Sequence, residues 1–290
     1  GSAWTQASWV GLGWSLDTGA ITRDMHGTDH DLTDDTFMLS MNGLGGRLLP
    51  VKKEGGKIYY RLQSESFDKI FFDEGLQTWT LLTKDGLKYV FGGNDQSQAR
   101  YDSTKACSSQ NNNTWSWQLS SIEDRFGNRV AFSYEKEKKS GCQNDVAIYP
   151  NEITYGGFSI KFETEPRQDY LKRWEKAESR ALFTKKRLKS VVFLVNNQVA
   201  KSLHLIYAGS KDEANSAQPS IKWQDNHLTS TLLSIQLSGN DNNTNSLPVV
   251  FEYKDKHSYE IKVKNEAGDY VTVVKTVPLH THLSSINNGM

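Results

Sequence analysis

The chain has 290 residues, of which 37% are hydrophobic and 11% aromatic, enough material for one large β core or two coupled ones. Its 34 basic and 34 acidic residues cancel to a formal net charge of zero, which argues against a nucleic-acid partner, whose phosphates demand a basic surface. No apolar run is long enough to cross a bilayer as a helix.

The opening Ala7-Ser8-Trp9-Val10-Gly11-Leu12-Gly13-Trp14-Ser15-Leu16 mixes large rings with glycines, which let a backbone bend tightly beneath them. Burial of Trp9, Trp14, Leu16 and Ile21 is expected, because a bent aromatic segment left in water would form a large apolar patch. Gly19 to Arg23 reads as a short strand, residues 24–35 as a polar loop, and Thr36 to Met41 as a strand ending at Asn42-Gly43. Ile58 to Leu62 and Lys69 to Phe72 supply two more strands. Asp85-Gly86, set between the alternating runs Trp79 to Thr83 and Leu87 to Gly92, is a strong hairpin signal. Cys107 and Cys142 lie in polar loops that flank the following hairpin, a placement compatible with one disulfide or with two free thiols.

One phrase then recurs: Leu119-Ser120-Ser121-Ile122, Pro150-Asn151-Glu152-Ile153, Leu188-Lys189-Ser190-Val191, Leu232-Leu233-Ser234-Ile235 and Leu283-Ser284-Ser285-Ile286. Each of the first four is followed by an alternating strand: Val130 to Tyr134, Phe158 to Phe162, Leu203 to Tyr207 and Val249 to Tyr253. A strand, turn, strand unit that cannot bury its own apolar face must stack on its neighbours. The phrases end at 122, 153, 191, 235 and 286, so the connections lengthen while the strands are retained. The fifth phrase lacks its returning strand, and Gly1-Ser2 reads as an expression remnant. The chain is therefore expected to be a piece of a longer polypeptide, with Leu283 to Ile286 poorly ordered or paired out of context.

Between Asp169 and Lys185, the positions Tyr170, Leu171, Trp174, Ala177, Ala181 and Leu182 recur at steps of three and four, which predicts one inserted helix. Residues 209–228 and 239–246 read as loops. Asn112 and Asn242 fit the glycosylation sequon, each within an Asn-rich turn. The expected fold is all-β, with repeated antiparallel β-hairpins in a long curved sheet and a helix near 169–185. Residues 1–110 form an N-terminal β segment, continuous with hairpin repeats over 111–290.

Trp9-Val10-Gly11-Leu12-Gly13-Trp14-Ser15-Leu16, followed by Gly19-Ala20-Ile21-Thr22-Arg23, resembles the opening of Rhs/YD-repeat proteins and of the SpvB-like and B-subunit components of insecticidal toxin complexes. Asp124-Arg125-Phe126-Gly127-Asn128 leading to Phe132-Ser133-Tyr134-Glu135 is similar to that family's repeat, in which a Gly-Asn turn precedes a strand ending in Tyr. Arg187-Leu188-Lys189-Ser190-Val191 matches the phrase that restarts each unit. The resemblance implies a hollow β shell that encloses or presents a C-terminal toxin or effector, in a secreted or cell-surface protein. The partners it implies are other segments of the same longer chain and a toxin cargo.

Residue chemistry suggests little catalysis. Among candidate metal ligands, His26, Asp29, His30 and Asp31 stand in one polar loop, but the loop lacks a full calcium pattern and a solvated turn is the default. His280 and His282 share a strand face, two ligands where zinc wants at least three. No Gly-x-Ser-x-Gly, phosphate loop or dinucleotide fingerprint is present, so no catalytic residue, no metal and no cofactor is expected. The rival reading is a cell-surface carbohydrate-binding or adhesion module, in which Trp115, Trp117, Trp174 and Trp223 stack on a glycan. A polysaccharide hydrolase is a more distant alternative, because its paired carboxylates cannot be picked out without geometry. Exposure separates these readings, since aromatics along an open face favour a glycan and rings buried between strands favour a shell.

Overall fold

The computed structural model describes residues 7–26, 32–41, 43–63, 69–101, 113–140, 143–167, 169–170, 182–207, 230–240, 247–253, 256–264, 270–278 and 283–287. Its strands are β1 (Ala20–Asp24), β2 (Thr36–Met41), β3 (Leu44–Glu54), β4 (Lys57–Leu62), β5 (Lys69–Asp73), β6 (Thr78–Leu82), β7 (Lys88–Phe91), β8 (Gln98–Tyr101), β9 (Asn113–Glu123) and β10 (Arg129–Lys138). They continue as β11 (Asp145–Tyr155), β12 (Phe158–Pro166), β13 (Lys186–Val195), β14 (Gln198–Tyr207), β15 (Leu232–Gly239), β16 (Val249–Tyr253), β17 (Lys256–Lys264), β18 (Tyr270–Pro278) and β19 (Leu283–Asn287). The sheets are antiparallel throughout, as the alternating runs require.

Strands β1 to β7 pair in sequence, and β9 pairs with both β7 and β1, which closes an eight-stranded barrel. Each strand of the ring sends at least one side chain into a single core of Ile21, Leu39, Met41, Leu48, Leu62, Ile70, Trp79, Leu81, Phe91, Trp117 and Leu119. Trp79 sits at its centre, with ring centroids of Tyr60, Phe37 and Phe72 at 4.8, 4.9 and 5.0 Å.

The far half of β9 pairs with β10, and from there the same sheet continues as β10-β11-β12-β13-β14-β15-β16-β19. This part of the sheet has its own core, Val10, Phe162, Leu188, Leu205, Tyr207, Leu232 and Phe251. The first four recurring phrases are therefore the first strands of successive hairpins.

In all five phrases the second residue is an extra one. Phe91 faces Leu119 and Val90 faces Ser121, which leaves Ser120 unopposed. The same slip leaves Asn151 unopposed between β10 and β11, Lys189 between β12 and β13, Leu233 between β14 and β15, and Ser284 between β16 and β19. Such β-bulges bend a strand and increase its twist. They also explain the phrase itself, since residues three apart point to opposite faces of a regular strand. With the extra residue, Leu188 and Val191 both reach the second core, as do Leu232 and Ile235.

Three expectations are corrected. Leu283 to Ile286 pairs in register with β16 of its own chain, across from Phe251 to Tyr253. The long gap before it holds a separate hairpin, β17 paired with β18. Leu16 is 38% exposed, and Trp9 and Trp14 are half-buried, whereas Ile21 is fully buried. The only helical turn among the described residues is the short one at Asp95–Ser97, and positions 171–181 of the expected helix lie outside them. At that segment's flanks Tyr170 stacks on Phe183, centroids 6.2 Å apart.

Candidate functional site

The second core is closed by the Gly/Trp-rich opening, which crosses the sheet from β11 to β16 as a strap. Trp9 meets Tyr149 and Phe162 edge-on at 6.3 and 6.1 Å, and Trp14 lies 4.7 Å from Phe251. The strap forms no ladder with the strands beneath it and is held at single points: Leu188 N–H donates to the Trp9 carbonyl at 2.7 Å, and Leu12 N–H to the Ser230 carbonyl at 2.8 Å. Tyr207 Oη donates to the Val10 carbonyl at 2.8 Å. Gly11 has φ of +124°, and a Cβ there would stand 3.0 Å from the Ser230 carbonyl oxygen and 3.2 Å from the Tyr207 ring. Only glycine fits both constraints.

Beside the strap lies a buried ionic latch. The side chain of Arg167 is fully buried and grips Asp169 through two hydrogen bonds, Nε to Oδ1 at 2.8 Å and Nη2 to Oδ2 at 2.7 Å. Its remaining Nη1 donates to the carbonyls of Ala7 and Ser8, both at 2.9 Å. Ser230 donates to the same carboxylate from its N–H at 2.5 Å and its hydroxyl at 3.0 Å. Burial opposes the charge on Asp169, yet the Arg167 hydrogen bonds, the guanidinium charge and the Ser230 donors outweigh it and hold the carboxyl below the usual range. Arg187, ion-paired with Glu165 at 2.6 Å, stacks over Tyr207 at 4.4 Å and reaches Ser230 at 3.3 Å. Burial pushes the Tyr207 phenol up. A network so fully satisfied has rigidity and specificity to offer and no free nucleophile.

The same strap reaches the barrel. Asp17 accepts from Ser40 at 2.6 Å and from Gly19 N–H at 2.8 Å, and the Gly19 carbonyl accepts from Leu119 N–H at 2.8 Å. Tyr134, which ends the first repeat, donates to the carbonyl of Leu119, which begins it, at 2.6 Å.

Of the sequence-derived candidates, Trp115, Trp117 and His26 are among the described residues. Trp117 is fully buried in the barrel core, its indole N–H on the Gln77 carbonyl at 3.0 Å, so it offers no face to a glycan. Trp115 is half-buried, with its N–H on the Asp145 carbonyl at 3.1 Å. Trp174 and Trp223 lie outside the described residues, as do Asp29, His30, Asp31, His280, His282, Cys107, Cys142, Asn112 and Asn242. His26 adopts φ of +46°, donates its backbone N–H to Asp24 Oδ1 at 3.1 Å, and holds its ring 3.2 Å from Thr36 Oγ1. Among the described residues, no three His, Cys, Asp or Glu side chains are grouped to hold a metal, and no helix is long and apolar enough to cross a membrane.

Sequence reasoning missed the latch. Its one visible trace was Arg167 and Asp169 flanking the end of a repeat strand, two residues apart, where period gave no reason to single them out.

Residues 69–268 match the family described as Salmonella virulence plasmid 65kDa B protein, SpvB. The chain belongs to the SpvB family. No curated protein is a detectable relative of the sequence. Among solved structures, this SpvB-family chain resembles the N-terminal domain of effector protein SpvB from Salmonella typhimurium strain LT2, with a TM-score of 0.59 and 14% identity over 82% of the chain and 92% of that domain. It also resembles a chain of the TcdB2-TccC3-Cdc42 crystal structure, with a TM-score of 0.66 and 18% identity over 90% of its length. The Photorhabdus luminescens Tc holotoxin pore matches with a TM-score of 0.64 and 18% identity over 91% of the chain. In both toxin-complex structures the chain spans only 15% of the other chain's length. At these identities the likeness is one of fold.

Proposed function

We propose that this chain is a structural β-shell segment of a toxin-complex-like, Rhs/YD-type protein, which encloses or presents a C-terminal toxin or effector and has no catalytic role of its own. The observation that carries this reading is the bulge at the second position of every phrase, on one side of each successive hairpin. Bulges repeated in the same phase bend consecutive units the same way, which is how a sheet is made to wrap around a volume. Support also comes from the toxin complexes whose fold the chain shares, with partners named TccC3 and Cdc42 in those structures. By that reading the partners are further segments of its own polypeptide and a toxin cargo, and the protein acts outside the producing cell or at its surface.

Protease protection in the natural full-length protein tests it. A C-terminal region shielded while the repeats stay folded is expected, and cleavage of that region as fast as in a free peptide would overturn the proposal. Saturable glycan binding abolished by Trp115→Ala would move the assignment to adhesion, a reading that Trp117 can no longer support.

A further inference from the structure

The strap is bound as a peptide ligand is bound. Its contacts are carbonyls read by single donors and rings set into a sheet face, and Val10 is its one fully buried member of the core between the half-buried Trp9 and Trp14. The polar half of the groove is complete without it: Asp169 is saturated by Arg167 and Ser230, and Arg187 is held by Glu165 and stacked on Tyr207. Among the described residues, Arg167 Nη1, Tyr207 Oη, Leu188 N–H and the Ser230 carbonyl are turned to the strap. A groove ordered independently of its occupant keeps the entropic cost of binding low. Past Gly13 the strap leads into the exposed Ser15, Leu16 and Asp17, and the barrel core shares no residue with the groove core.

We propose that the groove across β11 to β16 is a peptide-binding site with residues 7–16 as its exchangeable resident ligand, and that it accepts in trans an extended peptide of the form indole, branched aliphatic, glycine. Arg167 reads the two carbonyls that precede the indole, Tyr207 the carbonyl of the aliphatic residue, and the space beside Ser230 admits glycine alone.

Gly11→Ala in the full chain separates strap from groove, since it damages the ligand and leaves every groove residue in place. Strain at this left-handed position should raise hydrogen exchange at Leu12 and Leu188 about 10- to 100-fold, while exchange in β4 to β6 stays as in the parent chain. A synthetic peptide of residues 7–16 should then bind the Gly11→Ala chain saturably, and the peptide carrying Gly11→Ala, or the Gly11→Ala chain carrying Arg167→Gln, should show binding weakened about tenfold or more. Exchange rising equally in the barrel would overturn the idea by showing the strap to be integral to folding. So would unchanged exchange at Leu12 and Leu188, or peptide binding indifferent to Arg167→Gln.

Discussion

Arg167→Met removes the one cation that, among the described residues, is paired with the buried Asp169 carboxylate. The variant side chain is similar in length and apolar, so the perturbation is electrostatic: Asp169 keeps its two Ser230 donors but loses both guanidinium bonds, and the Ala7 and Ser8 carbonyls lose theirs. Breaking a buried pair by deleting one partner costs about 3–5 kcal/mol, because the remaining charge is left uncompensated. In the parent chain the folded pKa of Asp169 is depressed, so its contribution is present above the unfolded carboxylate value and is lost as pH falls through the folded one. Without Arg167, burial is the largest influence left, the folded pKa rises above the unfolded value, and the penalty is relieved as acid protonates the group. Urea denaturation at pH 7.0 and again at about pH 4 should therefore show the gap between parent and variant narrowing on acidification. A gap that is constant across that range, or below about 1 kcal/mol at pH 7, would refute the account of the latch.

Trp79→Ala should lower barrel stability by about 3–5 kcal/mol in chemical denaturation, as expected for a fully buried ring that touches four others. Trp79→Phe should cost far less than that, because the buried indole N–H it removes has no hydrogen-bond partner among the described residues. Gly127→Ala should cost about 1–2 kcal/mol by thermal melt from its φ of +84° alone, since a Cβ there meets nothing within 4 Å. Chelator treatment should leave the melting temperature unchanged, and a fall restored by added calcium or zinc would promote the loop from Asp24 to Asp35 to a metal site.

Most of the barrel and repeat strands were legible because they alternate and are punctuated by turns such as Asp85-Gly86 or Asp124 to Asn128, whereas β3 and β8 were not read from the sequence. In the latter, Asp124 Oδ1 accepts from the N–H groups of Phe126 and Asn128, and the Asn128 side chain foremost holds its carboxyl below the usual range. The latch was illegible because it is assembled from the ends of distant segments, with Arg167 reaching carbonyls 159 and 160 residues away. The β17–β18 hairpin was hidden differently: its strands carry no repeat phrase, so the gap before the fifth phrase looked like a mere lengthening of the connection. Strap burial was overestimated at Leu16 because a segment that crosses a sheet without pairing leaves one flank to solvent.

The spacing of the repeat phrase held more information than its apolar content. Two apolar residues three apart contradict a strand period of two, and the contradiction disappears once the second residue is bulged out. The claim is separable from side-chain identity. Lys189 is exposed, so Lys189→Ala should change stability by no more than about 0.5 kcal/mol. Deleting Lys189 is a different perturbation: with the bulge gone, β13 must either turn Leu188 or Val191 away from the core or slip its ladder to β12, where Thr164 now faces Leu188 and Glu163 faces Ser190. A one-residue slip moves a whole set of side chains to the other face, and losing Leu188 from a site where it is 2% exposed costs about 2–5 kcal/mol by itself. Equal stability of the deletion and the alanine variant would mean that the extra residue is an accident of register. A large difference, repeated on deleting Asn151 or Leu233, would establish the bulge as what the phrase encodes, and hence curvature as the property the repeats carry from unit to unit.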